Sequence, residues 1–504
     1  MTSLDKFPPL PPQGRLTLCE VEGKIHSMDA EHANVNKYTS ALNHHPRVSI
    51  TSEVLHHAPT SREEAGRVFM PVTDIFFKRI VSAWYERGFL EAVKVAACLR
   101  PGEGPRFAVV LAEFVLRSVN VLSRITNKMY PCLRESGDKL IEAVSQTREW
   151  SVSPIRCIEW HPHATKLAVA AKDDSVRIYS TDTSLIPILK CKSQSNITSL
   201  AWRPFSSSEL AVGCEAGVLL WTVDPNSVVS RPSMSCGVVL KQPGHRPVTS
   251  IVWAPQGDLI LTASAADTSM YLWDVAMERN VALKRVGGGG VCLVTWSPDS
   301  SKLFASTAGV IFRVWKTEKW IPERWTVLSG RVQTACWSPC GSVVLFATTE
   351  EPVIYALPFD AFGSVFQSDD LCNANPVVDL TPIEVDDMEE RIGGLVTSMC
   401  WDKRGHHLAV MFKESSVIAV FRTEIKSVFK ITPCCFINGL LGEVPTSINF
   451  QKNFTEGAVL TIAWSTGRLQ HFPFIYSDLE LDQTSGFRPL SMSVNSPQSP
   501  RINL

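Results

Sequence analysis

The chain has 504 residues, with 49 basic and 50 acidic side chains and a net charge of −1. That balance leaves no global field to draw the protein onto nucleic acid or an anionic membrane. The 14 cysteines form neither a C-x-x-C pair nor an evenly spaced framework, which favours a reducing compartment over a disulfide-built secreted scaffold.

The first 13 residues are proline-rich and lack the apolar core of a secretory signal. Phe7-Pro-Pro-Leu-Pro-Pro12 has too few backbone donors for a hydrogen-bonded ladder and reads as extended. Leu16-Thr-Leu-Cys-Glu-Val21 alternates as strands do, and Gly23 offers a turn before Lys24-Ile-His26. A strand or loose hairpin is therefore expected at 16–26 within an otherwise extended segment, 1–60. Residues 61–148 change period. Ser61 and Glu64 fit a capping box, and two apolar faces follow, from Ile75 to Ala97 and from Phe107 to Ile125. A third, shorter helix is expected from Asp138 through Leu140, Ile141 and Val144. Glu113, Arg117 and Arg124 interrupt the longest apolar run, so a spanning helix is not expected and membrane association would be indirect, through a partner.

From Trp160 onward one pattern is written seven times, over 150–475. An apolar strand ends in an aromatic, a short strand and a polar turn follow, and a further strand closes on Trp, Tyr or Phe. The first aromatics are Trp160, Trp202, Trp253, Trp296, Trp337, Trp401 and, most degraded, Phe450; they lie 42, 51, 43, 41, 64 and 49 residues apart. The closing strands read Val176–Tyr179, Val218–Trp221, Met270–Trp273, Val310–Trp315, Val353–Tyr355, Val417–Phe421 and Leu469–Phe472. A period near 40–45 with about four strands per unit signifies a propeller blade. The fold class expected is all-β, a seven-bladed β-propeller with an inserted N-terminal α-helical segment, its opening tryptophans serving as structural framework. The long fifth spacing is assigned to an acidic loop, 358–390, and the polar stretch 476–504 to a disordered tail, in which Ser496-Pro497 and Ser499-Pro500 have the form that proline-directed phosphorylation requires. An open ring would expose a long strand edge, so the strand near Leu16–Val21 is expected to pair with the last blade.

Residues suited to catalysis or ligand binding are sparse. The glycine run Gly287–Gly290 lacks the Lys-Ser/Thr that a phosphate loop needs. His44-His45, His56-His57 and His406-His407 are adjacent, and adjacent residues of a strand face opposite ways. His161 and His163 have no Cys or carboxylate cluster beside them to complete a zinc site. No G-x-S-x-G elbow occurs, Cys434-Cys435 reads as packing, and basic residues are not gathered with aromatics into a nucleic-acid stripe. No catalytic residue, cofactor or metal is expected, nor direct binding of nucleic acid. A rigid disc with loops on two faces is expected to bind other proteins.

The third unit is the most complete. Gly244-His245 precedes Trp253, and Asp267 stands six residues before Trp273-Asp274. This resembles the WD-repeat family, and the resemblance implies a buried structural network of His245, Asp267 and Trp273. A more specific resemblance runs in order along the chain. It includes Phe7-Pro-Pro-Leu-Pro-Pro12, Trp160-His-Pro-His163, Asp173-Asp-Ser-Val-Arg177, Phe312-Arg-Val-Trp315, Leu328-Ser-Gly-Arg331, Glu390-Arg-Ile-Gly-Gly394 and Trp464-Ser-Thr-Gly-Arg468. These segments resemble the aladin family of WD-repeat nucleoporins. The resemblance implies a non-catalytic scaffold component of the nuclear pore complex, anchored at the nuclear envelope through a transmembrane nucleoporin. It further implies support of nuclear protein import and, in mitosis, a presence in the cytoplasm and at spindle poles. The alternative is a WD-repeat substrate receptor of a ubiquitin ligase, a class with Trp-Asp-x-Arg at the end of a closing strand. Trp401-Asp-Lys-Arg404 has those letters, but on an opening strand.

Overall fold

A computed structural model describes residues 1–11, 15–21, 23–29 and 137–476, and isolated positions at 81, 93, 96, 114, 115, 117 and 118. Within 137–476 it leaves out 148–149, 151, 181–184, 224–228, 234–236, 285–288, 360–373, 385–390, 426–428 and 456. The first two expected helices fall outside the described residues, apart from those isolated positions. The tail 477–504 lies outside as well.

The repeated pattern becomes seven antiparallel sheets set in a ring, a seven-bladed β-propeller. Blade 3 shows the plan: inner strand Val248–Trp253, second strand Leu259–Ser264, third strand Met270–Asp274 and outer strand Arg279–Leu283, paired in sequence order. The second strand of a blade is flanked by strands on both edges and by neighbouring blades on both faces. It therefore reads as a continuous apolar run rather than an alternation. Val343–Thr348 and His407–Phe412 are buried at all six positions.

Every seam between adjacent blades has its own apolar cluster. Leu210, Val212 and Trp221 of blade 2 meet Ala168, Ile178 and Leu189 of blade 1. The ring is completed where Ile155, Trp160 and Tyr179 of blade 1 pack with Ala463 and Leu469 of blade 7. At the seam between blades 3 and 4 the backbones are in direct contact: a Cβ added at Gly290 would lie 1.6 Å from the Ala265 carbonyl oxygen. Only glycine fits there.

Blade 7 has three strands from its own sequence, Pro445–Phe450, Gly457–Trp464 and Leu469–Ile475. The N-terminal strand Arg15–Val21 takes the fourth place, pairing parallel to the last strand with Glu20 opposite Phe474 and Val21 opposite Ile475. Lys24–Asp29 then adds a fifth strand as an antiparallel hairpin. The residues before it run across the neighbouring blades. Thr2–Ser3 pairs parallel with Asn375–Asp379 on the edge of blade 5. Leu4 is buried in the core of blades 5 and 6, and Phe7 stacks on Phe436 at 4.3 Å and stands edge-on to Phe421 at 5.0 Å. The N-terminus is thus a strap over three consecutive blades.

The stretch 358–390, assigned from its acidity to an exposed loop, contains the outer strand of blade 5, Asn375–Asp379, with Val378 and the following Leu380 buried. Its two apolar valines were masked by the acidic residues around them. Helix α1, Gly137–Val144, sits over one mouth of the ring. Val144 packs on Ala265 and Cys292, Arg331 donates to Ala143 O, and Gln333 Nε2 donates to Ser145 O at 3.0 Å.

Candidate interaction surfaces and the groups that hold them

Blade 3 brings His245, Asp267 and Trp273 together around a fourth residue, Thr262. His245 lies before the inner strand, Asp267 in the turn between second and third strands, and Trp273 on the third. His245 Nδ1 is 3.0 Å from Asp267 Oδ2, His245 Nε2 is 3.1 Å from Thr262 Oγ1, and Trp273 Nε1 donates to the same hydroxyl at 3.0 Å. A carboxylate only accepts, so Nδ1 carries the proton and donates to it; the hydroxyl donates to Nε2 and accepts from the indole. Burial lowers the pKa of His245, against the raising effect of Asp267, which fits this neutral ring. Thr262 is the residue that sequence reasoning missed. The expected network of His245, Asp267 and Trp273 gains this second-strand hydroxyl, and the indole is linked to the aspartate through Thr262 and His245 in turn.

The opening tryptophans clasp neighbouring blades. Trp202 Nε1 donates to Glu159 O at 3.1 Å, Trp253 Nε1 to Ala201 O at 3.1 Å, and Trp337 Nε1 to Thr295 O at 3.2 Å. Each accepting residue immediately precedes the opening tryptophan of the blade before. Three tryptophans depart from the pattern. Trp160 donates across the ring-closing seam to Thr461 Oγ1 (2.8 Å), Trp296 to Ser300 O in its own turn (3.3 Å), and Trp401 to Thr423 Oγ1 (2.9 Å). An indole N–H at a packed seam needs an acceptor; here the acceptor lies in the preceding blade of the ring in four cases.

The inner strands enclose a channel of about 460 Å³. Ser199, Thr249, Ser250, Ser398, Cys400 and Ser447 are among the residues lining it, and Ile141, Val144 and Thr147 cover the mouth at which the inner strands begin. Toward the other mouth, Glu159 accepts from Lys452 Nζ and from Asn449 Nδ2, each at 2.6 Å. On that face His163 stacks on the exposed Phe205 at 5.1 Å. His161 donates from Nε2 to Ser206 O at 2.8 Å while its Nδ1 accepts two backbone N–H groups, so this histidine serves as a turn brace. Leu328 (93% exposed), Leu441 (85%) and Phe205 (76%) stand out on connecting turns, where apolar side chains are available to another protein.

Other motifs prove to be internal. Trp464-Ser-Thr-Gly-Arg468 folds into a turn in which Arg468 forms a two-pronged pair with the buried Glu443 (2.5 Å) and Thr466 donates to the same carboxylate (2.6 Å). Against the burial that would raise it, those bonds hold the Glu443 pKa below its usual range. Trp401 ends the inner strand Val396–Trp401, and Arg404 is engaged by the Thr455 carbonyl and lies over the Tyr476 ring. Among the described residues, Glu20, His407 and Cys434 form one grouping with donor atoms close enough to share a metal ion. Burial lowers the pKa of His407 to about 3, so its 3.8 Å approach to Glu20 is not an ion pair at neutral pH.

Seven sheets closed around a lined channel, with a braced blade, inter-blade indole clasps and an N-terminal edge strand, define a WD-type β-propeller. The profile described as "Aladin seven-bladed propeller" matches residues 136–475. The chain therefore belongs to the aladin propeller family. It is 26% identical over 351 residues to the protein named Aladin of Arabidopsis thaliana, covering 63% of this chain and 75% of that one. It is also similar to Protein HIR1 of Mycosarcoma maydis, 24% identical over 228 residues, or 40% of this chain and 22% of that one. A shorter likeness, 24% over 115 residues, covers 22% of this chain and 29% of EARP and GARP complex-interacting protein 1 of Rattus norvegicus.

Proposed function

We propose that this protein is a non-catalytic scaffold of the nuclear pore complex, held at the pore by a transmembrane nucleoporin and supporting nuclear protein import. The observation that carries the reading is the family match over 136–475, which spans all seven blades. The architecture suits the role. Its polar side chains are spent on holding blades together, and its loops and outer edges are the surfaces left for partners. No described helix is long and apolar enough to cross a membrane, so a membrane-anchored partner is the means of attachment in this reading. Association with spindle poles in mitosis belongs to the same proposal. The ligase-receptor alternative is disfavoured by Arg404, which is committed to Thr455 and Tyr476.

Crosslinking mass spectrometry on nuclear envelopes containing the tagged full-length chain tests this. Crosslinks to membrane nucleoporins are expected. Crosslinks to a ubiquitin-ligase adaptor, with none to pore components, would replace the reading with the alternative.

A further inference from the structure

We propose that Glu20, His407 and Cys434 bind one zinc ion, which staples the N-terminal strap to blade 6. Glu20 lies on Arg15–Val21, His407 on the second strand of blade 6 and Cys434 on its outer strand, Phe429–Ile437. Glu20 Oε2 is 3.3 Å from Cys434 Sγ and 3.8 Å from His407 Nε2, and all three donor atoms lie within 4.8 Å of one another. Ligand atoms around tetrahedral zinc, with bonds of about 2.0–2.3 Å, stand roughly 3.3–3.8 Å apart, so both Glu20 separations already fall in that range and any wider gap between His407 and Cys434 has to close. Side-chain adjustment suffices.

The hydrogen bonds around His407 point to a cation. Its Nδ1 is 2.9 Å from Tyr476 Oη, and Tyr476 donates to Asp402 Oδ2 at 3.3 Å. A phenol that gives its proton to a carboxylate accepts from the ring, so Nδ1 carries the hydrogen and Nε2 has a lone pair. That Nε2 is buried, has no hydrogen-bond partner and faces the Glu20 carboxylate. The Nε2 lone pair stands opposite the carboxylate oxygen that accepts the Cys434 S–H, so a metal taking the place of that proton would meet all three donor atoms. A histidine whose second nitrogen is anchored through a hydroxyl to a carboxylate has the outer support usual for metal ligands. A mixed oxygen, nitrogen and sulfur donor set suits zinc rather than calcium or magnesium. A small cavity of about 20 Å³, bordered by Gly23, Arg422 and Tyr476, adjoins the site and is large enough for one water to serve as fourth ligand. Binding would replace the Cys434 S–H proton by the metal, releasing that proton to solvent.

The test uses full-length protein stripped with a chelator, then given zinc and desalted. One zinc per chain is expected to remain, with a rise in melting temperature. Cys434→Ser and Glu20→Gln should lose both, while Cys340→Ser, which removes a thiol elsewhere, should keep both. Cobalt(II) in place of zinc should give thiolate-to-cobalt absorption that Cys434→Ser abolishes. Tyr476→Phe, which leaves the ligands intact, should weaken affinity roughly 10–100-fold. The proposal is overturned if wild type retains no more zinc than Cys434→Ser, or if the cobalt protein lacks thiolate absorption. The cobalt spectrum reads the wild-type chain alone, so a misfolded variant cannot mask the answer.

Discussion

At the scale of single residues, one hydroxyl decides how the brace of blade 3 is satisfied. Thr262 serves both His245 and Trp273, so Thr262→Val, nearly equal in size, strands an indole N–H and an imidazole nitrogen together. A loss of ~1–3 kcal/mol is expected in urea unfolding; a loss within experimental error would show that the hub carries no stability. Protonation acts on the same buried rings. Burial lowers the pKa values of His161 and His245 below the ordinary 6.5, so the unfolded chain takes up protons first as pH falls. The associated stability is complete above about pH 7 and declines as pH drops through and below 6.5. Urea midpoints at pH 7.5 and 5.5 should show it, and an equal or higher midpoint at 5.5 would contradict it. The sequence exposed His245, Asp267 and Trp273 because Gly-His and a turn aspartate are spaced distinctively. Thr262 carried no such signal: a threonine in a strand is common, and only the fold shows which two side chains it meets.

At the scale of elements, the N-terminal strap is the least expected part. The alternation at 16–21 was legible, and so was the need to cover an edge of the last blade, because an unpaired strand edge is a physical liability. The path of residues 2–10 was not. Proline-rich sequence prescribes an extended chain without saying what it lies on, and here Leu4 and Phe7 find pockets in blades 5 and 6. Deleting residues 1–28 should lower the melting temperature markedly and promote concentration-dependent association through the bared edge of blade 7. An unchanged melt would remove the strap from the stability account. Leu4→Ala isolates the anchor, with an expected loss of ~2–5 kcal/mol for emptying a fully buried leucine site. The outer strand of blade 5 inside the acidic stretch 358–390 was hidden for a related reason. A five-residue strand with one fully buried valine has too few periods to stand out from the carboxylates beside it.

At the scale of the whole molecule, stability is distributed. Each of seven seams has its own apolar cluster, and no single core dominates. Closure couples them, since blade 7 packs on blade 1 through Ala463, Leu469 and Trp160, so damage to one blade weakens the ring as a unit. Trp273→Ala removes a buried indole and should cost ~3–5 kcal/mol. If the pore binds the folded disc rather than a short peptide, this variant should also leave the nuclear rim for the cytosol. Retained rim staining by a destabilised Trp273→Ala chain would indicate recognition of a linear segment instead. The sequence by itself determined the kind of object: seven repeats of apolar strands and turn residues have one compact solution, because each blade can bury its faces only against the next. Only the tertiary structure decided how the polar groups are spent and where the chain ends are tied. Indoles bond to carbonyls in neighbouring blades, Thr262 stands between histidine and tryptophan, and Glu20 meets His407 and Cys434 from about 400 residues away. Local pattern records which residues share a strand face. Contacts between distant segments leave no period in the sequence, and ring closure brings them together.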